Sequence, residues 1–264
     1  MKRVDAAGPA PGGLLGGPLS SYDDLSRASD LYHRVFRYGV DGPALNTNLL
    51  GALRRNGGST VGVKTPEGRL VGFAYGFPGT DGSARYHYSQ AAVVDPEFQG
   101  RHVGRLLKLH QREIALDWGE HRMRWSFDPL LARNAHFNFD SLGAVGIALQ
   151  EDYYGQADTD RVIVEWDLDR DPRTLWHRPT APPPGRLGPA DWGRPIPGAA
   201  GVWLPIAGTL LAGDPESAEI HAQRPRVRAA LGELFAAGYV ATSCVRLDAL
   251  TAAYLFRRGR TTDG

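Results

Sequence analysis

Ala91-Ala92-Val93-Val94-Asp95-Pro96-Glu97-Phe98-Gln99-Gly100-Arg101-His102-Val103-Gly104-Arg105-Leu106-Leu107 reads as a β-strand that breaks at Asp-Pro, passes through a tight turn and opens a helix. The first turn of a helix has backbone N–H groups without internal partners. Together with the helix dipole they form a site for a phosphate or pyrophosphate. Gly100 and Gly104 lack the Cβ atoms that would hold an anion away from the backbone.

The helix continues to about Trp118, with Val103, Leu106, Leu107, His110 and Ile114 on one face and Arg101, Arg105, Lys108 and Arg112 on the other. The basic stripe reads as a solvated outer face, with only Arg101 and Arg105 near enough to the helix start to touch a ligand. His110, on the apolar face, reads as a hydrogen-bonded core histidine.

Upstream, Thr60–Lys64, Arg69–Phe77 and Tyr86–Val94 are β-prone runs separated by Pro66-Glu67-Gly68 and Pro78-Gly79-Thr80-Asp81-Gly82, which implies two hairpins in series. By alternation Tyr88, Gln90, Ala92 and Val94 share one face of the last strand, and His87 and Ser89 the other. Before these, Leu25 to Phe36 repeat at helical spacing towards Gly39, and Asn46–Arg55 suits a shorter helix. Residues 1–20, dense in Gly and Pro, read as a flexible leader.

Downstream come a strand at Met123–Phe127, a helix at Leu131–Leu142 stopped by Gly143, and strands over residues 144–150 and 161–168. This order gives a mixed α/β sheet flanked by helices, over residues 21–169. Residues 170–200, with Pro182-Pro183-Pro184-Gly185, read as a linker or strap. Residues 201–264 form a smaller C-terminal α+β unit. In it, Asp214-Pro215-Glu216 starts a helix with Val227, Leu231, Leu234 and Phe235 on one face, which Pro225 should kink or restart. Tyr239–Leu247 and Thr251–Phe256 follow as a strand pair. The helix, glycine, strand order at 226–247 loosely echoes 131–150, a candidate partial duplication.

Across 264 residues, 42% hydrophobic, the 30 basic and 29 acidic side chains leave a formal charge of +1. That balance supplies no global electrostatic case for a nucleic-acid or membrane partner. No run approaches the roughly 18 apolar residues of a membrane span, and no signal-peptide pattern is visible, so the expectation is a cytoplasmic protein, monomer or homodimer. The single Cys244 sits in a strand-like run and reads as an inert buried thiol. No metal site is expected: there are no paired histidines at ligand spacing, nor a dinucleotide or Walker-type glycine motif.

The run from Gln99 to Gly104 resembles motif A of the GNAT superfamily, Gln/Arg-x-x-Gly-x-Gly/Ala. Phe127-Asp128-Pro129-Leu130, Arg133-Asn134-Ala135, Ser141-Leu142-Gly143-Ala144, Tyr153-Tyr154-Gly155 and Val164-Glu165-Trp166 are similar to a branch of predicted acetyltransferases in that superfamily. The resemblance implies a GNAT-type central sheet and acetyl-CoA or another acyl-CoA as co-substrate. It also implies direct attack by an acceptor amine on the thioester, with a small amine or amino-acid-like acceptor. By motif position Val93 and Val94 would offer backbone contacts to pantetheine, Gln99, Gly100, Arg101, His102, Val103, Gly104 and Arg105 would hold the pyrophosphate, and Asn134 would touch the cofactor arm.

Three departures stand against that pattern. His102 occupies the central glycine's place, where it crowds the cradle or, protonated, adds a contact to phosphate. Phe139 stands where many relatives carry a proton-donating tyrosine, leaving Tyr153 or Tyr154 as the candidate acid or as an aromatic pair anchoring a turn. The strand before the motif has no glutamate, leaving His87 as a candidate base with a core role the alternative. A GNAT-like module that binds coenzyme A without turnover is therefore the competing reading, and an interaction protein with a decayed site a third.

Overall fold

The computed structural model describes residues 13–36, 45–170, 182–208 and 218–259. The chain divides into two compact units between Met123 and Arg124.

In the first unit, strand β1 (Leu15–Pro18) precedes helices α1 (Tyr22–Phe36) and α2 (Thr47–Arg55). The β1 residues therefore do not belong to a free leader: they pair antiparallel with β2 (Ser59–Lys64), Leu15 opposite Lys64 and Pro18 opposite Val61. A side chain at Gly16 would collide with the His110 ring, so this glycine-rich run suits an edge strand beneath a helix. Residues 1–12 lie outside the described ones.

Local signals explain both helices. Ser21 Oγ accepts from the Asp24 N–H at 3.1 Å, and Asp23 and Asp24 complement the dipole at the start of α1. Asn46 caps α2 by accepting from the N–H groups of Asn48 (2.7 Å) and Leu49 (3.3 Å). Leu25, Ala28 and Leu31 of α1 are buried with Phe73 and Val93.

β2 pairs antiparallel with β3 (Leu70–Thr80), and β3 with β4 (Arg85–Val94). β3 runs on through Pro78, Gly79 and Thr80, so the turn is confined to residues 81–84, where Asp81 Oδ1 accepts from the N–H groups of Ser83 and Ala84. Helix α3 (Val103–Asp117) buries Val103 and Leu107 on the sheet face that carries Val61, Val63 and Ala74.

β4 does not alternate as the sequence suggests. Ser89 lies opposite Gly76 but Ala91 lies opposite Tyr75, so Gln90 is a bulge without its own partner. The extra residue flips the parity of everything after it. Val93 packs with the α1 residues, Val94 packs with Val103 and Leu107, and Ser89 faces Lys108 and Gln111 of α3. Val94 thus shares the α3 face with Ser89 and His87 instead of opposing them.

The second unit takes in most of β5 (Arg122–Phe127), then α4 (Ala132–His136), β6 (Val145–Gln150), β7 (Arg161–Asp167), β8 (Ile196–Gly198), β9 (Gly201–Ala207), α5 (Ala218–Ala236), β10 (Tyr239–Arg246) and β11 (Thr251–Arg258). Its strands lie in the order β5-β7-β6-β10-β11-β9-β8. The expected boundary near residue 169 is bridged by pairing: β10 adds to β6, Ala241 opposite Gly146, so the C-terminal strands extend the sheet that β6 and β7 begin. α4 is shorter than the expected helix, and residues Phe137–Ser141 form a wider π-turn that buries Asn138 and Phe139. α5 continues through Pro225 without restarting; Val227, Leu231 and Leu234 are buried, and Phe235 meets Phe256 edge-on at 5.5 Å. The proposed cap at Asp214-Pro215-Glu216 lies outside the described residues.

Candidate functional site

The residues that the sequence nominates for an anion cradle lie on the strand-to-helix loop of the first unit. Asp95 Oδ1 accepts from the Glu97 N–H at 3.2 Å and starts a single turn of 3-10 helix at Pro96–Phe98. Arg69 donates to Asp95 (2.9 Å) and Glu97 (2.7 Å), and Arg34 lies 3.5 Å from Asp95. Burial pushes the Asp95 carboxyl up, but the bonds from Arg69 and the Glu97 N–H, with the charges of Arg69 and Arg34, hold it below the usual value. The Phe98 ring lies between two guanidiniums, Arg69 at 5.3 Å and Arg101 at 5.1 Å from its centroid. These contacts tie Asp95, Glu97 and Phe98 to Arg69, Arg34 and Arg101, while residues 99–102 form the loop's exposed tip.

Two residues at that tip have left-handed backbone. Gly100 (φ +76°) adopts it freely and has open space where a Cβ would be. His102 (φ +63°) adopts it at a cost, and it is the N-cap of α3 with no side-chain hydrogen bond closing the helix end. The first bond of α3 runs from the Leu106 N–H to the His102 carbonyl, at 3.0 Å, so the amides of Val103, Gly104 and Arg105 precede the internal ladder. The conformation explains why a glycine suits position 102. Gln99, Arg101 and His102 are exposed around these amides, Val103 is buried as an anchor, and burial lowers the pKa of the half-buried Arg105.

Val93 and Val94 sit on β4 with their side chains committed to opposite faces. Asn134 is exposed on α4, in the second unit. Tyr153 and Tyr154 occupy the β6–β7 turn, ring to ring at 5.0 Å, with Arg161 over the Tyr154 ring at 5.2 Å. Phe139 is buried against Phe127 and Tyr254. The nearby Tyr254 does not replace the missing acid: its hydroxyl donates to the Pro129 carbonyl at 2.5 Å and burial pushes its pKa well up.

His87 is corrected from candidate base to core residue. It is 0% exposed, stacked on Trp118 at 5.3 Å, with Nε2 2.8 Å from Ser59 Oγ. Burial, then the charge of Lys108, lower its pKa to about 3, which makes the ring a poor proton acceptor near neutral pH. Lys108 is also corrected: it is buried, not part of a solvated stripe, and donates to Ser89 Oγ at 2.8 Å, while Ser89 donates to Gln111 at 2.8 Å. A mid-strand Ser in register with a mid-helix Lys is the only sequence signal for this cluster. His110 is hydrogen-bonded as expected, to Glu113 at 3.0 Å, but is only partly buried, whereas Cys244 is buried as expected, with its pKa raised well up by burial.

Residues 25–138 match the sequence model of the acetyltransferase (GNAT) family. Among solved structures, a GNAT-family protein from Desulfovibrio desulfuricans is similar at 14% identity and a TM-score of 0.49, over 59% of this chain and 99% of that one. The ribosomal-protein-S18-alanine N-acetyltransferase of Escherichia coli is similar at 17% identity and a TM-score of 0.47, over 59% and 94%. A protein from Salmonella typhimurium, solved with its cofactor acetyl-CoA, is similar at 19% identity and a TM-score of 0.47, over 60% and 95%. No curated protein matches the chain.

Proposed function

Residues 25–138 belong to the acetyltransferase (GNAT) family, and from that premise we propose that the protein is an acyl-CoA dependent N-acyltransferase for a small amine or amino-acid-like acceptor. The observation that carries the reading is the α3 start: amides preceding the helical ladder, no side-chain cap, and two left-handed residues that curl an exposed loop around them. Such an end suits a pyrophosphate.

Gln99 to Arg105 would hold the pyrophosphate, Val93 and Val94 would offer backbone to the pantetheine arm, and Asn134 would touch that arm. When bound, the co-substrate supplies a thioester whose acyl carbon an amine can attack directly, with a thiolate as leaving group. The protein's part is positioning and carbonyl polarisation by backbone N–H groups, to which the Gln90 bulge contributes by releasing a residue from the ladder. Tyr153 and Tyr154, of which Tyr154 is 54% exposed, are the candidate acids for the thiolate. With His87 buried, the amine proton leaves to another group or to solvent.

The buried Phe139 and His87 favour one alternative, a module that holds coenzyme A without turnover. Calorimetric titration with acetyl-CoA and with coenzyme A, on wild type and Gly104→Trp, tests both. Micromolar binding lost in the variant, with thiol release in the presence of amines, supports the enzyme. Binding without thiol release supports the module, and no binding removes both. Among the described residues no helix is long and apolar enough to cross a membrane.

A further inference from the structure

The second unit holds a cavity of about 410 Å³ between the β6–β7 turn and α5, lined by Glu151, Asp152, Asp158, Arg224, Pro225 and Arg228. Its volume is in the range of small-molecule sites. Its charged lining residues take part in ion pairs. Arg228 reaches Asp160 at 2.6 Å, Asp152 at 2.8 Å and Glu151 at 3.6 Å; Arg224 reaches Asp128 at 3.3 Å, and Arg161 lies 4.0 Å from the same carboxylate. On the cavity wall itself Glu151, Asp152 and Asp158 stand against Arg224 and Arg228, three carboxylates against two guanidiniums. The excess is negative and calls for a cation.

A second observation is independent of that charge. Arg224 is only 9% exposed, and its Nε and Nη1 have no hydrogen-bond acceptor. The carboxylate nearest Nε, Asp158 Oδ1, is 3.8 Å away, beyond hydrogen-bond distance. Buried guanidinium N–H groups require an acceptor, and Arg224 is one of the residues that line the cavity. Asp152 and Asp158 are moreover held with left-handed backbone, at φ +47° and +62°.

We propose that this pocket binds an α-amino acid or amino-acid amide. The ammonium group sits among Glu151, Asp152 and Asp158, and the carbonyl or carboxylate oxygen accepts from Arg224. As the acceptor class for acyl transfer the assignment rests on the acetyltransferase reading; as a binding site it stands without it.

The full chain is titrated calorimetrically with the common free amino acids and their amides, with cadaverine as an amine lacking the carbonyl, and with succinate as a carboxylate lacking the amine. The expected result is that an amino acid or amide binds at least about tenfold more tightly than cadaverine or succinate. Asp158→Asn, which keeps a residue type tolerant of left-handed backbone, and Arg224→Lys, which keeps the charge facing Asp128, should each weaken that binding by about tenfold or more. Thermal unfolding verifies that both variants fold. The proposal is overturned if no probe binds at millimolar concentration, if cadaverine binds as tightly as the best amino acid, or if binding survives in both folded variants. Acetyl-CoA titrated in the same series separates the two readings: its failure to bind removes the acetyltransferase reading alone, and failure of the amino-acid probes removes this pocket alone.

Discussion

Acidification from pH 7 to pH 5 should destabilise the protein by about 2 kcal/mol through His87 alone. The ring is fully buried, and its pKa falls from 6.5 to about 3 through burial and the charge of Lys108. The unfolded chain takes up a proton near 6.5 that the folded chain refuses until about 3. The stabilisation is therefore complete above 6.5 and lost as the pH falls towards 3. At about 1.36 kcal/mol for each pH unit below 6.5, the loss reaches about 2 kcal/mol at pH 5 and approaches roughly 5 kcal/mol near pH 3. Urea unfolding at pH 7, 6 and 5 measures it. The comparison is Ser59→Ala/His87→Phe, which keeps an aromatic ring on Trp118 and removes the hydroxyl that bonded the imidazole. Above pH 5 most carboxylates stay ionised, so the double variant should be flatter than wild type by about 2 kcal/mol over this range. Equal losses in the two proteins would refute the argument. A bell in the pH–rate profile that disappears with His87 would restore it as a base.

Lys108 gives the matching alkaline prediction: burial lowers its pKa well below 10.5, so wild-type stability should rise between pH 7 and 10, and Lys108→Met should abolish the rise in the same unfolding assay. Phe98→Ala removes the ring shared by Arg69 and Arg101 and should cost about 1–3 kcal/mol of stability, together with weaker acetyl-CoA binding by calorimetry. His102→Gly removes left-handed strain but adds unfolded-chain entropy, so chemical denaturation should show it within about 0.5 kcal/mol of wild type, while the β-branched His102→Val loses about 1–2 kcal/mol. Equal effects of the two substitutions would mean that the backbone at 102 is not left-handed.

The pieces that sequence reveals best are those governed by local rules. Asn46 caps its helix and Gly143 stops the turn after α4 because capping and positive φ are decided within a few residues. The motif loop is legible for the same reason. Strand parity is not, because the Gln90 bulge is fixed by which β3 residue faces β4, a contact with no signature in the β4 sequence. Lys108 is misplaced by periodicity, which assigns a charged position outward, whereas Ser89 and Gln111 give it a buried polar seat. Gly16 and Gly17 resemble linker because an edge strand under a helix has the composition of one.

The Gln90 bulge also gives β4 something like a reading frame. One surplus residue lets His87 and Ser89 at one end and Val94 at the other all address α3, so the count between them is as constrained as their identities. Excising Gln90 would present Val93 to α3 and turn Val94 towards α1, a frameshift in space from the loss of a single exposed side chain. The same excision in the turn at residues 81–84 would shorten a loop and leave every buried position in register.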